Sequence, residues 1–428
     1  MKIQINGGQT LSGEITPSGS KNSALAVLTA SILFEKPIVL GNIPNLSDVS
    51  TVIDVLEKLG SQIVWDKDSH QIHINNADLD FRRFTKGDLG DMKGTAMLWG
   101  AMLGRFGRSD FEELPGGCTL GVRPVDAHFG ALRDLNVEIT ENSDGIKMDS
   151  SGAKATTVWL SEMSPTATAN VIMLAIKLGG TTRIIGAASE LSVQDLCVLL
   201  NSAGAKISGV GSNVLVIEGG GALKSINYEI LSDHYEIATF LALGACTGGE
   251  VIVHRAMPEH FIHIVKEFAK FNVEVSYDGD TAIVRKGQKI SMGRGAGHTI
   301  LIRPQPWPAL PVDMLPLFIP LALEAPDGSA LFHNWMYESA LFWTTELLKF
   351  GANVTILDPH RVMAIAGNPL KGTKVNAPYI IRATVALIMT ALIADGKSTI
   401  TGTDSLDRGH ENFVGKLKSL GAIIEQAE

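Results

Sequence analysis

The octet Leu56-Glu57-Lys58-Leu59-Gly60-Ser61-Gln62-Ile63 reads as the last turn of an amphipathic helix, a reversal at glycine, and the start of a strand. It recurs as Leu132-Arg133-Asp134-Leu135-Asn136-Val137-Glu138-Ile139 and as Leu200-Asn201-Ser202-Ala203-Gly204-Ala205-Lys206-Ile207. Phe268–Val275 and Leu348–Val354 are looser copies, and Leu417–Ile424 closes the series. The turn position holds Gly four times and Asn twice. Those two residue types accept the left-handed backbone that ends a helix. The turns fall at 60, 136, 204, 272, 351 and 421, so six units of about 71 residues fill a chain of 428.

A second phrase alternates with the first: an Ala-rich apolar helix, a breaker, and a β-rich strand. The helical parts are Ser23–Phe34, Thr95–Leu103, Thr168–Leu178, Glu236–Ala245, Met314–Leu323 and Arg382–Ala394. Residues apolar on most faces predict buried helices, whereas the Leu-x-x-Leu pattern predicts helices with one wet face. Each unit therefore reads as βαβαββ, with one helix inside and one outside. The glycine-rich stretch Glu218–Ser225, after three units, is the best boundary that the repeats alone supply. Two α/β lobes follow, and sites for small molecules favour the cleft between domains.

Composition narrows the function. Hydrophobic residues make up 45 % and charged residues 19 %, which excludes a disordered chain. The net charge of −9 argues against a nucleic acid or an anionic membrane as partner. The first residues, Met1-Lys2-Ile3-Gln4-Ile5-Asn6, contain no apolar core of a secretion signal, and no apolar run is long enough to span a bilayer. Three cysteines, an odd number in a long chain, fit a reducing cytoplasm better than disulfide scaffolding.

Three segments carry chemistry. Pro17-Ser18-Gly19-Ser20-Lys21-Asn22 opens a helix, where free N–H groups and the helix dipole add to the lysine charge and suit an anion. Read alone, it is more simply an ordinary capped helix start with a solvated lysine. Leu114-Pro115-Gly116-Gly117-Cys118-Thr119-Leu120-Gly121-Val122-Arg123 describes a glycine-loosened loop bearing a thiol beside an arginine. A neighbouring cation lowers a thiol pKa and makes it a proton donor or nucleophile at neutral pH. Cys197 and Cys246 lie in apolar helical contexts and read as core. In Arg303-Pro304-Gln305-Pro306-Trp307-Pro308-Ala309-Leu310-Pro311-Val312-Asp313, four prolines stiffen the approach to one carboxylate at a helix start, either a cap or a placed general base. Arg382 and Arg408 add cations at helix and loop junctions, the pattern expected for a substrate with several negative charges. His260 and His263 lack partners at metal-site spacing, so no metal is expected. Walker A, nucleophile-elbow and Rossmann signatures are absent from the sequence.

Taken together these motifs resemble the enolpyruvyl transferase family over the whole chain. The segments that carry the resemblance are Ser20-Lys21-Asn22-Ser23-Ala24-Leu25, Pro115–Asp126, Pro311-Val312-Asp313-Met314, Ile381-Arg382-Ala383 and Asp407-Arg408-Gly409. The Gly-Gly-Cys…Arg-Pro-Val-Asp loop belongs to the branch whose acceptor is UDP-N-acetylglucosamine, and the shikimate-pathway branch lacks it. The resemblance implies a two-lobed inside-out α/β barrel of six βαβαββ repeats, three per lobe. It also implies that the N-terminal strand joins the C-terminal lobe, so that the lobes are 1–20 plus 231–428 and 21–230, the latter carrying the Cys118 loop.

The implied reaction moves enolpyruvate from phosphoenolpyruvate to the 3-hydroxyl of UDP-N-acetylglucosamine and releases phosphate, the first committed step of peptidoglycan synthesis. By the same resemblance Cys118, Asp313, Lys21 and Arg408 form the catalytic set, with Asp313 as base and Cys118 as general acid able to add to phosphoenolpyruvate. Lys21, Asn22, Arg123, Arg382 and Arg408 would bind phosphoenolpyruvate. Lys93, Arg123, Pro124, Val125, Asp126 and Ala127, with Glu162, Met163, Ser164 and Pro165, would line the nucleotide sugar, and Asn22, Asp313 and Met336 would meet its sugar ring. No cofactor, nucleic acid or membrane is implied, and the expected form is a cytoplasmic monomer. The chain departs from the family pattern at Lys93, where the family has Arg, at Ala340, where it has an Arg that helps bind phosphoenolpyruvate, and at Glu162, where it has Lys. These departures leave open a different uridine nucleotide as acceptor, or a non-catalytic nucleotide-sugar binding protein.

Overall fold

The computed structural model describes residues 1–83, 95–111, 125–142, 145–292 and 299–427. The six turn residues of the repeat all take positive φ: 104° at Gly60, 66° at Asn136, 104° at Gly204, 57° at Asn272, 84° at Gly351 and 95° at Gly421. Each lies between a helical segment and a strand, as the left-handed requirement dictates.

The Ala-rich stretches form helices Lys21–Ala30, Leu98–Phe106, Pro165–Ala175, His234–Cys246, Leu315–Glu324 and Ile381–Ile393, buried over most of their length. In the last of these every residue from Arg382 to Leu392 is buried. Its two threonines remain satisfied because their hydroxyls donate back along the helix, Thr384 to the Ile380 carbonyl (3.1 Å) and Thr390 to the Ala386 carbonyl (2.8 Å). The other phrase gives the half-buried helices Ser47–Lys58, Asp126–Asp134, Leu191–Ser202, Ile262–Ala269 and Phe413–Ser419. Its fifth copy differs: Phe342–Phe350 is a 3-10 helix. Thr344 and Thr345 there donate to carbonyls three residues back, at 2.7 and 2.8 Å, which favours the tighter turn.

Two compact units divide the described chain. One takes the described residues between 19 and 231, and the other those between 1 and 18 and between 232 and 427. The described strands form five four-stranded sheets and one three-stranded sheet. Every four-stranded sheet has one parallel pair at its edge and antiparallel neighbours beyond it. In three of them the buried helix is the crossover between the parallel strands; Thr299–Ile302, Leu315–Glu324 and Ser329–His333 are one example. In the other two the partners are exchanged. Gly13–Ile15 precedes the Lys21–Ala30 helix yet pairs with Val251–Val253, and Asn227–Glu229 precedes the His234–Cys246 helix yet pairs with Ile38–Gly41.

Strand Lys2–Asn6 lies between Lys397–Thr401 and Ile424–Ala427, antiparallel to both. Its exit passes so close to the end of the Ile381–Ile393 helix that a Cβ on Gly7 would sit 1.7 Å from the Ala394 carbonyl oxygen. Among the described residues no helix is long and apolar enough to cross a membrane.

Gly7→Ala is expected to destabilise the unit of residues 1–18 and 232–427 by roughly 1–3 kcal/mol through overpacking against backbone. Urea unfolding measures this, with Gly221→Ala, which has open space around it, as control. An unchanged midpoint for Gly7→Ala would contradict the close approach.

Candidate active site

Four of the buried helices begin at residues singled out from the sequence. Lys21 is the first residue of its helix, behind the Ser20 cap, whose Oγ accepts from the Ser23 amide at 3.3 Å. Ser164 caps the Pro165–Ala175 helix, accepting from the Ala167 amide at 3.3 Å, with Pro165 at the first helical position. Asp313 occupies the 3-10 turn Val312–Met314 that leads into Leu315–Glu324. Arg382 is the second residue of Ile381–Ile393. Helix N-termini carry partial positive charge and unpaired N–H groups, so this placement suits anionic ligands.

In the unit of residues 19–231, Lys21 Nζ pairs with Asp48 Oδ2 at 2.5 Å. Asp48 lies in the first turn of Ser47–Lys58, where an acid also complements the helix dipole. Asn22 is exposed beside it. The approach to Lys21 is tight: a Cβ on Gly19 would meet the Asn42 carbonyl oxygen at 1.7 Å, and the Ser20 amide donates to the Leu231 carbonyl at 2.8 Å. Asp195, buried, accepts from the Leu231 amide at 3.1 Å and from the Tyr228 hydroxyl. Its burial pushes the carboxyl upward from the ordinary carboxylate range.

The two segments expected to line a nucleotide sugar are joined in the same unit by one largely buried polar network. Val125 leads into the Asp126–Asp134 helix, with Asp126 exposed and Ala127 buried. Glu162 and Met163 are exposed, and the Ser164 amide donates to the Glu162 carbonyl at 2.7 Å. Asn170 of the Pro165–Ala175 helix donates through Nδ2 to His128 Nδ1 (2.9 Å) and to the Ala96 carbonyl (2.5 Å), and accepts from the Gly100 amide (2.8 Å). An accepting Nδ1 leaves the His128 proton on Nε2, which faces Thr166 Oγ1 at 3.1 Å; Thr166 in turn meets Ser164 Oγ at 3.2 Å. Burial holds the His128 pKa down at about 4. Neither His128 nor Asn170 stood out in the sequence, because a lone His and Asn among apolar residues signal no partner.

In the unit of residues 1–18 and 232–427, the proline-rich approach to Asp313 is pinned by Trp335, whose indole N–H donates to the Pro304 carbonyl at 2.8 Å. Trp335 adjoins Met336, whose amide donates to Asn334 Oδ1 at 3.2 Å, so the structure brings the Asp313 approach and the Met336 turn together. Arg382 is buried, lies over the Tyr235 ring (4.9 Å) and donates to His410. Arg408, partly buried, stacks over Tyr379 at 5.1 Å. Lys93, Cys118, Arg123 and Pro124 lie outside the described residues. Cys197 and Cys246 are buried in the core, and burial pushes the Cys197 thiol up to about 12 and the Cys246 thiol well above its ordinary value.

Comparison with known proteins covers nearly the whole chain. The family profile described as EPSP synthase (3-phosphoshikimate 1-carboxyvinyltransferase) matches residues 5–417. The chain belongs to the EPSP synthase family. Within this family, UDP-N-acetylglucosamine 1-carboxyvinyltransferase of Borrelia garinii is 36 % identical over 429 residues, covering 99 % of this chain and 98 % of the relative. The enzyme of the same name from Bacteroides thetaiotaomicron is 34 % identical, covering 98 % of each. Among solved structures, the enolpyruvyl transferase NikO from Streptomyces tendae superposes with a TM-score of 0.87 at 19 % identity, covering 100 % of this chain and 98 % of NikO. An EPSP synthase from Acinetobacter baumannii superposes with a TM-score of 0.73 at 16 % identity, covering both chains fully. These likenesses establish that the mixed α/β fold is that of the enolpyruvyl transferases.

The His128 network yields a pH prediction for this EPSP synthase family chain. The imidazole titrates near 6.5 when unfolded and about 4 when folded. The neutral form is favoured in the fold, so its contribution is complete above 6.5 and is lost as pH falls from 6.5 towards 4. The loss amounts to about 3 kcal/mol. Unfolding free energies measured between pH 7 and 4 should show this decline, and His128→Gln should flatten it. A His128→Gln profile as steep as the wild type would refute the assignment.

Proposed function

We propose that the protein transfers the enolpyruvyl group of phosphoenolpyruvate to the 3-hydroxyl of UDP-N-acetylglucosamine, releasing phosphate, as the first committed step of peptidoglycan synthesis. The observation that carries this reading is the match at 36 % identity, end to end, to UDP-N-acetylglucosamine 1-carboxyvinyltransferase. The site residues support it. Asp313, fixed by the Trp335-pinned approach, takes the hydroxyl proton as the sugar oxygen bonds to C2 of phosphoenolpyruvate. Cys118 delivers a proton to C3, giving a tetrahedral adduct. Breaking the C2–O bond to phosphate and removing a proton from C3 restore the enol double bond.

Lys21, Arg123, Arg382 and Arg408, with Asn22, hold the phosphate and carboxylate of phosphoenolpyruvate. Before substrate arrives Lys21 is engaged by Asp48, so the anion must compete for it. Lys93, Val125–Ala127, Pro124 and Glu162–Pro165 line the nucleotide sugar, and Met336 presents backbone to its ring. The same reading includes six βαβαββ repeats in a two-lobed inside-out barrel, with lobes 1–20 plus 231–428 and 21–230. The compact units and the parallel-edged sheets support that architecture. A cytoplasmic monomer completes it, and the two buried thiols accord with a reducing compartment.

A second reading keeps the chemistry and changes the acceptor to another uridine nucleotide. It is favoured by the exposed Glu162 carboxylate, which would repel a diphosphate at the nucleotide segment. Turnover on UDP-N-acetylglucosamine and on other uridylates, compared side by side, separates the two.

Phosphate should appear when the protein meets both substrates, and Asp313→Asn should lower kcat by at least about a hundredfold. A phosphonate epoxide that mimics phosphoenolpyruvate should add once, at Cys118, with Cys197 and Cys246 unmodified in peptide mass spectra. No phosphate release at any substrate concentration would overturn the assignment.

A further inference from the structure

Arg382 and His410 form a buried pair that the proposed mechanism leaves without an explanation. The segment Thr403–Arg408 and the residues after it dock on the start of the Ile381–Ile393 helix. Ser405 Oγ and Thr384 Oγ1 meet at 3.0 Å. Gly409 lies against Ile381 so closely that a Cβ would approach its side chain to 2.7 Å. That approach brings the His410 ring, 1 % exposed and 4.7 Å from the Phe413 ring, to the guanidinium of Arg382, where Arg382 Nη1 donates to His410 Nε2.

Arginine has only donors. His410 Nε2 must therefore offer its lone pair, which makes the ring neutral with its proton on Nδ1. Among the described residues the ion-pair partner of Arg382 is Asp233, at 3.9 Å, well beyond the 2.7–2.9 Å of a charge-assisted hydrogen bond. The Asp233 carboxylate is engaged instead in capping its own helix, accepting from the Glu236 amide at 2.9 Å. The Tyr235 ring covers one face of the guanidinium. Arg382 is thus oriented by a neutral acceptor and an aromatic face, with one buried carboxylate at ion-pair distance but outside hydrogen-bond reach. Contrast Lys21, held by a carboxylate at 2.5 Å. A carboxylate in the place of His410 would aim the guanidinium equally well, but it would cancel the charge on which anion binding depends.

We propose that His410 is a positioning residue for anion binding: it accepts a hydrogen bond from Arg382, fixes the direction of the guanidinium, and leaves its positive charge available for the phosphate or carboxylate of phosphoenolpyruvate. This rests on the reading of Arg382 as a substrate-binding cation. The small Gly409 packs directly on the Ile381 side chain beside this contact.

The test compares His410→Gln, which keeps an uncharged acceptor at similar reach, with His410→Phe, which keeps ring packing and loses the acceptor. His410→Glu keeps an acceptor and adds a negative charge. Binding of phosphoenolpyruvate and of inorganic phosphate by calorimetry needs no turnover, and melting curves confirm that each variant is folded. Expected is affinity within about threefold of wild type for Gln and at least about tenfold weaker for Phe and Glu, with UDP-N-acetylglucosamine affinity within about twofold throughout. A residue that merely packs would give the opposite order, Phe tolerated best. Phe equal to or better than Gln, Glu binding as tightly as wild type, or no anion binding by wild type would each overturn the inference. If the expected order holds while wild type releases no phosphate from both substrates, the proposed reaction falls and the role of His410 stands.

Discussion

Six helices without a polar face impose the organisation of this molecule. A helix such as Ile381–Ile393, buried from Arg382 to Leu392, gains its stability only if apolar neighbours cover it on all sides. No single sheet can do that. Each unit meets the demand by packing buried helices against one another and surrounding them with sheets: Leu98–Phe106 packs on Pro165–Ala175, and Leu315–Glu324 packs on both Ile381–Ile393 and His234–Cys246. The half-buried helices then face outward with their polar residues.

The same constraint decides where chemistry can occur. Along such helices there is no room for an ionised side chain, and their ends are the places where charge and unpaired backbone donors are available. Lys21, Ser164, Asp313 and Arg382 stand at four of these starts. What surrounds each end then differs. Lys21 is charge-paired with Asp48, Asp313 is steered by prolines and an indole hydrogen bond, and Arg382 is aimed by a neutral ring.

Much of this was legible in the sequence. The turn residues, the Ala-rich buried helices and the residues at the helix starts all carry local signals: a left-handed conformation, an absent polar face, a cap. Exchange of the strands Gly13–Ile15 and Asn227–Glu229 carries none, because a strand's own residues do not say which edge it will join. The supporting side chains escaped for a related reason. Asp48, His128, Asn170, Trp335 and His410 acquire their roles from partners 27 to 42 residues away or more, as in Asp48 with Lys21 and His128 with Asn170, and nothing in their own neighbourhoods names those partners. Phe342–Phe350 shows the converse, a local preference of two threonines overriding the helix type that the repeat led one to expect.

The antiparallel seat of Lys2–Asn6 between Lys397–Thr401 and Ile424–Ala427 also has a consequence for biosynthesis. A ribosome delivers the first of these strands nearly four hundred residues before its neighbours exist. Strand 13–15 waits for Val251–Val253, whereas residues 2–6 must stay extended and unpaired until Lys397–Thr401 has been made. Their alternation of apolar and polar residues keeps only one face sticky during that interval, since Ile3 and Ile5 point one way and Lys2, Gln4 and Asn6 the other. Nascent-chain length, rather than local stability, therefore sets the moment at which the second unit can become complete.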